Sequence, residues 1–237
     1  MDALEQHLAR QAELSRDFFW NRLRWELVSS ELGSECNCVV DVGAGPGFLG
    51  EFLRSRRPQV DYWFVEPIED LERRLTEEFG EEANRRDRDF HGASHVTLMD
   101  VLEHQEDDRT FMAELAEKME PGATLLLTVP AMPWLWSDWD AMLGHYRRYT
   151  KKGLRQVVDP LPLQIEEQSY IFPELIPPGL LRRARMRSGD ADPADAEFPQ
   201  LPKPLNETLY RVGKGTMKCR RVWPAGTSLY ARLRRVG

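Results

Sequence analysis

Val39-Val40-Asp41-Val42-Gly43-Ala44-Gly45-Pro46-Gly47-Phe48-Leu49-Gly50 is the stretch from which the rest of the chain can be read. Two β-branched residues lead into an acid, a glycine-dense turn follows, and then apolar residues take up helical spacing at Phe48, Leu49, Phe52 and Leu53. This predicts a strand, a tight loop and a helix N-terminus. Glycines at alternate positions let the backbone turn with φ > 0 and leave no Cβ between it and a ligand. The spacing also restricts the ligand. A dinucleotide fingerprint, G-x-G-x-x-G, needs its third glycine where Phe48 stands, so a nicotinamide dehydrogenase is the least supported enzyme class.

The pattern acid-x-Gly-x-Gly-x-Gly at 41–47 resembles motif I of the class I S-adenosylmethionine-dependent methyltransferases. The resemblance implies an α/β fold, a doubly wound and mostly parallel seven-stranded sheet. It implies that Gly43, Ala44, Gly45 and Gly47 hold the amino-acid end of the cofactor, with a polar contact from Asp41.

The chain downstream agrees with an alternating α/β plan. Residues 60–66 form an apolar run ending in Glu66. An acid about 20 residues beyond a glycine loop accepts hydrogen bonds from ribose hydroxyls in nucleotide-binding βαβ units. Residues 95–99 and 123–129 read as further strands with a helix between them, as expected of parallel βαβ units. In open sheets of this kind ligands bind beyond the carboxyl ends of the strands, where Asp41, Glu66 and Asp100 all fall. Residues 81–93 give no clear strand. The family resemblance implies an acid near the adenine amino group there, either Asp89 or Asp87.

Met99-Asp100-Val101-Leu102-Glu103-His104 resembles the motif after strand 4 in small-molecule methyltransferases such as the ubiquinone-biosynthesis O-methyltransferases. It implies that Asp100, Val101 and Leu102 line the cofactor pocket; His104 is either structural, the favoured reading, or faces the reacting atom. No Asn/Asp-Pro-Pro-Tyr/Phe stands here, which disfavours methylation of DNA base amino groups.

Residues 130–150 follow the fifth expected strand, where a methyltransferase shapes its acceptor pocket. They hold Trp134, Trp136 and Trp139 and end in Gly144-His145-Tyr146-Arg147-Arg148-Tyr149-Thr150, similar to a bacterial subgroup with a Gly-His-Tyr-Arg-Arg-Tyr-Thr signature. The resemblance covers most of residues 15–170 and returns at the end. His145 is the candidate base, because imidazole titrates near neutral pH. Asp140 stands where it can orient His145. Arg147 and Arg148 offer planar forks for a carboxylate or phosphate, and Trp136 and Tyr146 complete the candidate substrate contacts. The alternative is that the His and Arg residues pin this segment to the body through Asp138 and Asp140.

Residues 1–32 read as a helical cap whose aromatic and cationic residues, Trp20, Arg22, Arg24 and Trp25, suit a lid over a charged ligand; packing as core is the other reading. We expect 33–237 to be the methyltransferase domain, with 171–226 a capping insertion before an antiparallel last strand at 227–233 that lies beside the fifth. Within the insertion, 180–187 reads as a basic amphipathic helix, 188–204 as an exposed loop and 206–218 as a helix.

Hydrophobic residues make up 41% of the 237, enough for a core. No apolar run approaches the roughly 20 residues that span a bilayer, and no secretory h-region stands at the start. With Cys36, Cys38 and Cys219 in no metal-ligand spacing, reduced thiols, no metal and a cytoplasmic location are expected. Residues 1–179 carry 19 Lys and Arg against 34 Asp and Glu, a net of −15; residues 180–237 carry 13 against 5, a net of +8. Either the basic 180–235 region meets something anionic, including a weak peripheral membrane contact, or it neutralises the acidic body. The acidic body argues against nucleic acid.

The function expected is S-adenosylmethionine-dependent methylation of a small-molecule or lipid-linked acceptor. The alternatives are a non-catalytic S-adenosylmethionine-binding module and a peripheral-membrane methyltransferase acting on a polyprenyl-linked glycan. The acceptor and the oligomeric state are not legible in the sequence.

Overall fold

The computed structural model describes residues 16–187 and 201–237. Six strands form one sheet: β1 (Cys38–Val42), β2 (Asp61–Val65), β3 (His95–Met99), β4 (Thr124–Pro130), β5 (Leu163–Ile171) and β6 (Ser228–Arg235). Their spatial order is β2-β1-β3-β4-β6-β5. β2, β1, β3 and β4 are parallel, and β6 runs antiparallel to both of its neighbours, β4 and β5. The last strand thus lies beside the strand over 124–130, as expected.

Every residue of β1 and β4 is buried, which explains why both read as unbroken apolar runs rather than as alternating ones. Successive residues serve opposite faces. Val40, Leu125, Leu127 and Ala231 pack with Met112 and Leu115 of α4 (Asp108–Lys118) and with Leu154 and Val158 of α6 (Lys151–Val158). Val39, Leu126 and Tyr230 pack on the other side, against Leu49 and Leu53 of α2 (Phe48–Arg56) and Phe19, Leu23 and Leu27 of α1 (Phe19–Glu31).

The expected seventh strand is missing among the described residues. After α3 (Glu69–Phe79), residues 80–94 make a single parallel bridge, Phe64 to Asn84, and return to β3. A parallel crossover takes a dozen or more residues, so this segment has no length for a strand and a second crossover helix.

α8 (Lys203–Lys218) packs along α1. The Asn206 side chain accepts from Phe19 N (2.9 Å) and donates to the Asp17 carbonyl (2.8 Å), capping α1 from another helix. α7 (Ile176–Arg187) begins earlier than the sequence suggests, since Pro177 and Pro178 sit in its first turn, where no N–H is needed. Residues 1–15 of the expected cap helix and 188–200 of the expected loop lie outside the described residues.

Four arginines of the basic C-terminal part, Arg220, Arg221, Arg232 and Arg234, pair with acids of the body. Glu167 accepts from Arg220 and Arg221, Glu31 from Arg220 and Arg232, and Glu166 pairs with Arg232 and Arg234. These arginines hold Glu167 down at about 2 against the pull of burial. Neutralisation of the acidic body therefore accounts for these four arginines of the 13 basic residues in 180–237.

Gly226 lies against β5, and a Cβ there would sit 2.2 Å from the Ile171 carbonyl oxygen, a backbone atom with no freedom to rotate away. Gly226→Ala is expected to cost about 2 kcal/mol or more by forcing the ends of β5 and β6 apart, read as a lower urea midpoint with an unchanged slope.

Candidate functional site

The glycine loop closes the carboxyl end of β1. Gly43, Gly45 and Gly47 all have positive φ, 73°, 55° and 83°, a region that L side chains seldom enter. A Cβ on Gly43 would meet Val101 Cγ2 at 2.5 Å and one on Gly47 would meet Leu75 Cδ2 at 2.4 Å, so those two are glycine for packing. Gly45 differs: nothing lies within 4 Å of its Cβ position. Its open side lies at the carboxyl end of β1, where sheets of this kind form their binding crevice.

Glu66, 3% exposed at the end of β2, accepts from Gly45 N (2.7 Å) and Ile68 N (2.9 Å). Burial raises its carboxyl to about 7, against the lowering effect of those two N–H groups. Asp41 accepts from Thr97 Oγ1 (2.7 Å) and Tyr62 Oη (2.9 Å), and burial lifts it to about 6. Asp41, 4% exposed, thereby ties the entry of the loop to β2 and β3. Gly43 N and Ala44 N donate to the Val65 carbonyl, tying the loop to β2.

Three non-glycine residues among those described have positive φ: Asp100 (55°), Met132 (61°) and Phe172 (58°). They follow β3, β4 and β5, and strained backbone of this kind costs about 1–3 kcal/mol per residue. Asp100 accepts from Thr128 Oγ1 (3.1 Å) and pairs with Arg24 (2.5 Å). Arg24 is 6% exposed and reaches Asp100 from α1, with its guanidinium beside the Trp20 and Phe172 rings. The N-terminal helix is therefore both core, through Phe19 and Leu23, and a wall of the crevice, through Arg24 and Trp20.

Leu102 is wholly buried in the core, so of Asp100, Val101 and Leu102 only the first two present side chains near the loop. Asp89 is not brought to the crevice. Its side chain accepts from His91 N, and its neighbour Phe90 donates to the carbonyl of Lys118, at the end of the sheet where strands begin. The shortened 80–94 segment is the reason, because no strand carries the chain back up; Asp87 is exposed.

Residues 131–149 cross the crevice on the far side. Asp140, fully buried in α5 (Asp138–Met142), accepts from Ser137 N (3.0 Å), His145 Nδ1 (3.1 Å) and Arg148 Nε (2.7 Å). Burial alone would raise its carboxyl; the His145 hydrogen bond and the Arg148 charge outweigh it and hold the group below the usual range. Arg148 also donates to the Ala131 carbonyl, while Arg147 pairs with Asp108 (2.8 Å) and donates to the Glu106 carbonyl. Both forks are engaged by the protein, the arrangement of the pinning alternative. Pinning of the segment is what they do, through Asp140 and Asp108 rather than Asp138. Trp136 is half-buried and Tyr146 exposed; Tyr146 N donates to the Glu103 carbonyl.

His145 packs edge-on against His104, ring centroids 4.8 Å apart, with Nε2 4.0 Å from Glu103 Oε1. Burial lowers His104 to about 4 and pushes the Glu103 carboxyl well up. Glu103, Tyr62 and Thr97 escape the sequence reading as site residues, and Arg24 enters it only as part of a lid. Only the adjacency Glu103-His104 could have signalled any of them. A separate groove of about 680 Å³, lined by Cys36, Ser94, His95, Thr124 and Arg232 among others, lies where the strands begin, at the end away from the glycine loop.

A family model described as a methyltransferase domain matches residues 8–168. No curated protein sequence matches. Among solved structures, the methyltransferase in complex with the Haloferax volcanii Trm112 methyltransferase activator is similar at 16% identity and TM-score 0.62, over 100% of this chain and 99% of that one. Phosphoethanolamine N-methyltransferase 2 of Haemonchus contortus, solved with S-adenosyl-L-methionine, gives 13% and 0.57 over 92% of this chain and 53% of that one. The cyclase SpnF gives 14% and 0.58 over 91% of this chain and 81% of that one.

Proposed function

The chain belongs to the methyltransferase-domain family, and from that premise we propose that it is an S-adenosylmethionine-dependent enzyme methylating a small-molecule or lipid-linked acceptor. The observation that carries the cofactor assignment is Gly45, left-handed, open on its crevice side and held by Glu66. A glycine with no Cβ on its open side, next to a strand-end carboxylate, suits close approach of a nucleoside amino acid. When bound, S-adenosylmethionine supplies an electrophilic sulfonium methyl, so alignment is the main demand on the protein.

In this reading Glu66 receives the ribose hydroxyls, and Gly43, Ala44, Gly45 and Gly47 face the amino-acid end. Val101 packs beside them and Asp41 positions the loop. His145 is the group we place at the reacting atom. Its Nδ1–H is committed to Asp140, which leaves Nε2 with a lone pair for a proton or a ligand. Trp20 and Trp136 flank the acceptor, and α1 with 171–226 caps the crevice over the 33–237 domain. The ubiquinone-biosynthesis-like branch is supported by residues 99–104 and 144–149.

Calorimetric titration with S-adenosylmethionine and S-adenosylhomocysteine, with NAD as control, tests this. Micromolar binding of the first two alone is expected; binding of neither would remove the cofactor assignment. Affinity should also rise with pH. Ribose hydroxyls donate to the ionised carboxylate, and Glu66 stands at about 7 when the site is free. Binding should therefore release a proton below pH 7 and level off above it, and Glu66→Gln should flatten the profile. In the free protein the sign is opposite for stability. Protonated Glu66 favours the fold most below its unfolded value of about 4.3, a contribution lost as pH rises through 7.

A second reading is a cofactor-binding protein that does not transfer methyl groups, favoured by a cyclase on the same fold. Cofactor binding without turnover on any acceptor would support it. The Trm112 complex suggests a protein partner. The exposed Leu180 and Leu181 of α7 suit a lipid-linked acceptor. No helix among the described residues is long and apolar enough to cross a membrane.

A further inference from the structure

We propose that Glu103, His104 and His145 bind a divalent first-row transition-metal ion at the crevice. Their ligand atoms, one carboxylate oxygen and one nitrogen from each ring, lie within 4.8 Å of one another. Ions of this class sit about 2.0–2.2 Å from such donors, so the set must close by roughly an ångström, within the reach of side-chain rotation.

A buried orphan points to the ion. Glu103 is 0% exposed, and neither of its side-chain oxygens has a hydrogen-bond partner among the described residues. Were it protonated, its O–H would face the His145 Nε2 lone pair at 4.0 Å, beyond hydrogen-bond distance. An unpaired buried carboxyl is costly, and a coordinated cation satisfies it. The two positive side chains nearest Glu103, Arg24 and Arg148, are matched by Asp100 and Asp140, so neither substitutes for the ion.

The surroundings are those of a ligating histidine. Asp140 holds His145 Nδ1 at 3.1 Å and is itself fixed by Arg148 and Ser137 N, which turns Nε2 toward Glu103. A carboxylate behind the imidazole fixes its tautomer and raises its basicity as a ligand. The two segments that carry the ligands are joined by Tyr146 N donating to the Glu103 carbonyl, 2.8 Å. Two imidazoles and one carboxylate suit Zn²⁺, Fe²⁺ or Co²⁺ rather than Mg²⁺ or Ca²⁺. Three protein ligands leave positions for water or an oxygen of the acceptor, whose pKa the ion lowers. That use rests on the methyltransferase reading; the site itself does not. It also makes His145 a metal ligand in place of a free base.

The test is titration of the metal-stripped full chain with Co²⁺, followed by visible absorption and displaced by Zn²⁺, alongside S-adenosylhomocysteine calorimetry on the same sample. One Co²⁺ per chain is expected, with affinity reduced about a hundredfold or more in Glu103→Gln and His145→Gln and unchanged in His91→Gln, an exposed histidine paired with Glu120 outside the cluster. Circular dichroism of each variant separates loss of site from loss of fold. If the chain binds S-adenosylhomocysteine but takes up no Co²⁺ or Zn²⁺, the metal site is wrong. The same follows if uptake survives in folded Glu103→Gln and His145→Gln. Uptake of metal without S-adenosylhomocysteine binding would instead remove the methyltransferase reading and leave the site standing.

Discussion

Glu66→Ala is expected to weaken S-adenosylmethionine binding by roughly a hundred- to ten-thousand-fold. Two hydrogen bonds from ribose hydroxyls to a carboxylate are worth about 1.5–3 kcal/mol each, and 1.4 kcal/mol is tenfold in affinity. The same side chain holds Gly45 N and Ile68 N, so its loss also releases the loop that meets the other end of the cofactor. Glu66→Gln keeps one acceptor oxygen and the side-chain volume, and should lose about tenfold. Calorimetry on both variants, with thermal unfolding to show that the fold survives, gives the answer. An unchanged dissociation constant in Glu66→Ala would take Glu66 out of the site.

The second large effect is on stability. Asp140→Ala removes the acceptor for Ser137 N, His145 and Arg148 at once and leaves the Arg148 guanidinium, 13% exposed, without its carboxylate. Breaking a buried pair from one side costs about 3–5 kcal/mol. For a domain of this size that lowers the melting temperature by roughly 6–20 °C, at about 2–4 °C per kcal/mol. Asp140→Asn retains an acceptor and should fall between wild type and Asp140→Ala. A measured loss under about 1 kcal/mol would mean that contacts other than this network hold the 131–149 segment.

Both residues were visible in the sequence, for different reasons. Glu66 is legible because a strand end at a fixed distance beyond a glycine loop is a local pattern. The alternation of strands and helices follows from the same kind of local pattern, whereas the antiparallel last strand beside the fifth is what the family resemblance implies. Asp140 is legible only as a neighbour of His145. Its third partner, Arg148, reads in the sequence either as a fork for a substrate anion or as a pin to the body, because an arginine looks the same whether its fork is engaged or free. Asp89 and the seventh strand fail together: both rest on a family segment that this chain shortens. Arg24 and Glu103 are pairings, or failures to pair, between residues far apart in the chain. No periodicity records them; the fold alone brings Arg24 to Asp100, or leaves Glu103 without a partner.

The place of β6 bears on how the chain folds as it is made. Between the end of β5 and the start of β6 the ribosome must add residues 172–227, which at about 5–20 residues per second takes roughly 3–11 s. Until then β4, the most buried strand of the sheet, has an open edge on its β6 side, and β5 has no partner in register. Unpaired apolar edges of this kind invite pairing with other chains. A nascent chain halted before Ser228 should therefore be a client of chaperones, whatever the stability of the finished sheet.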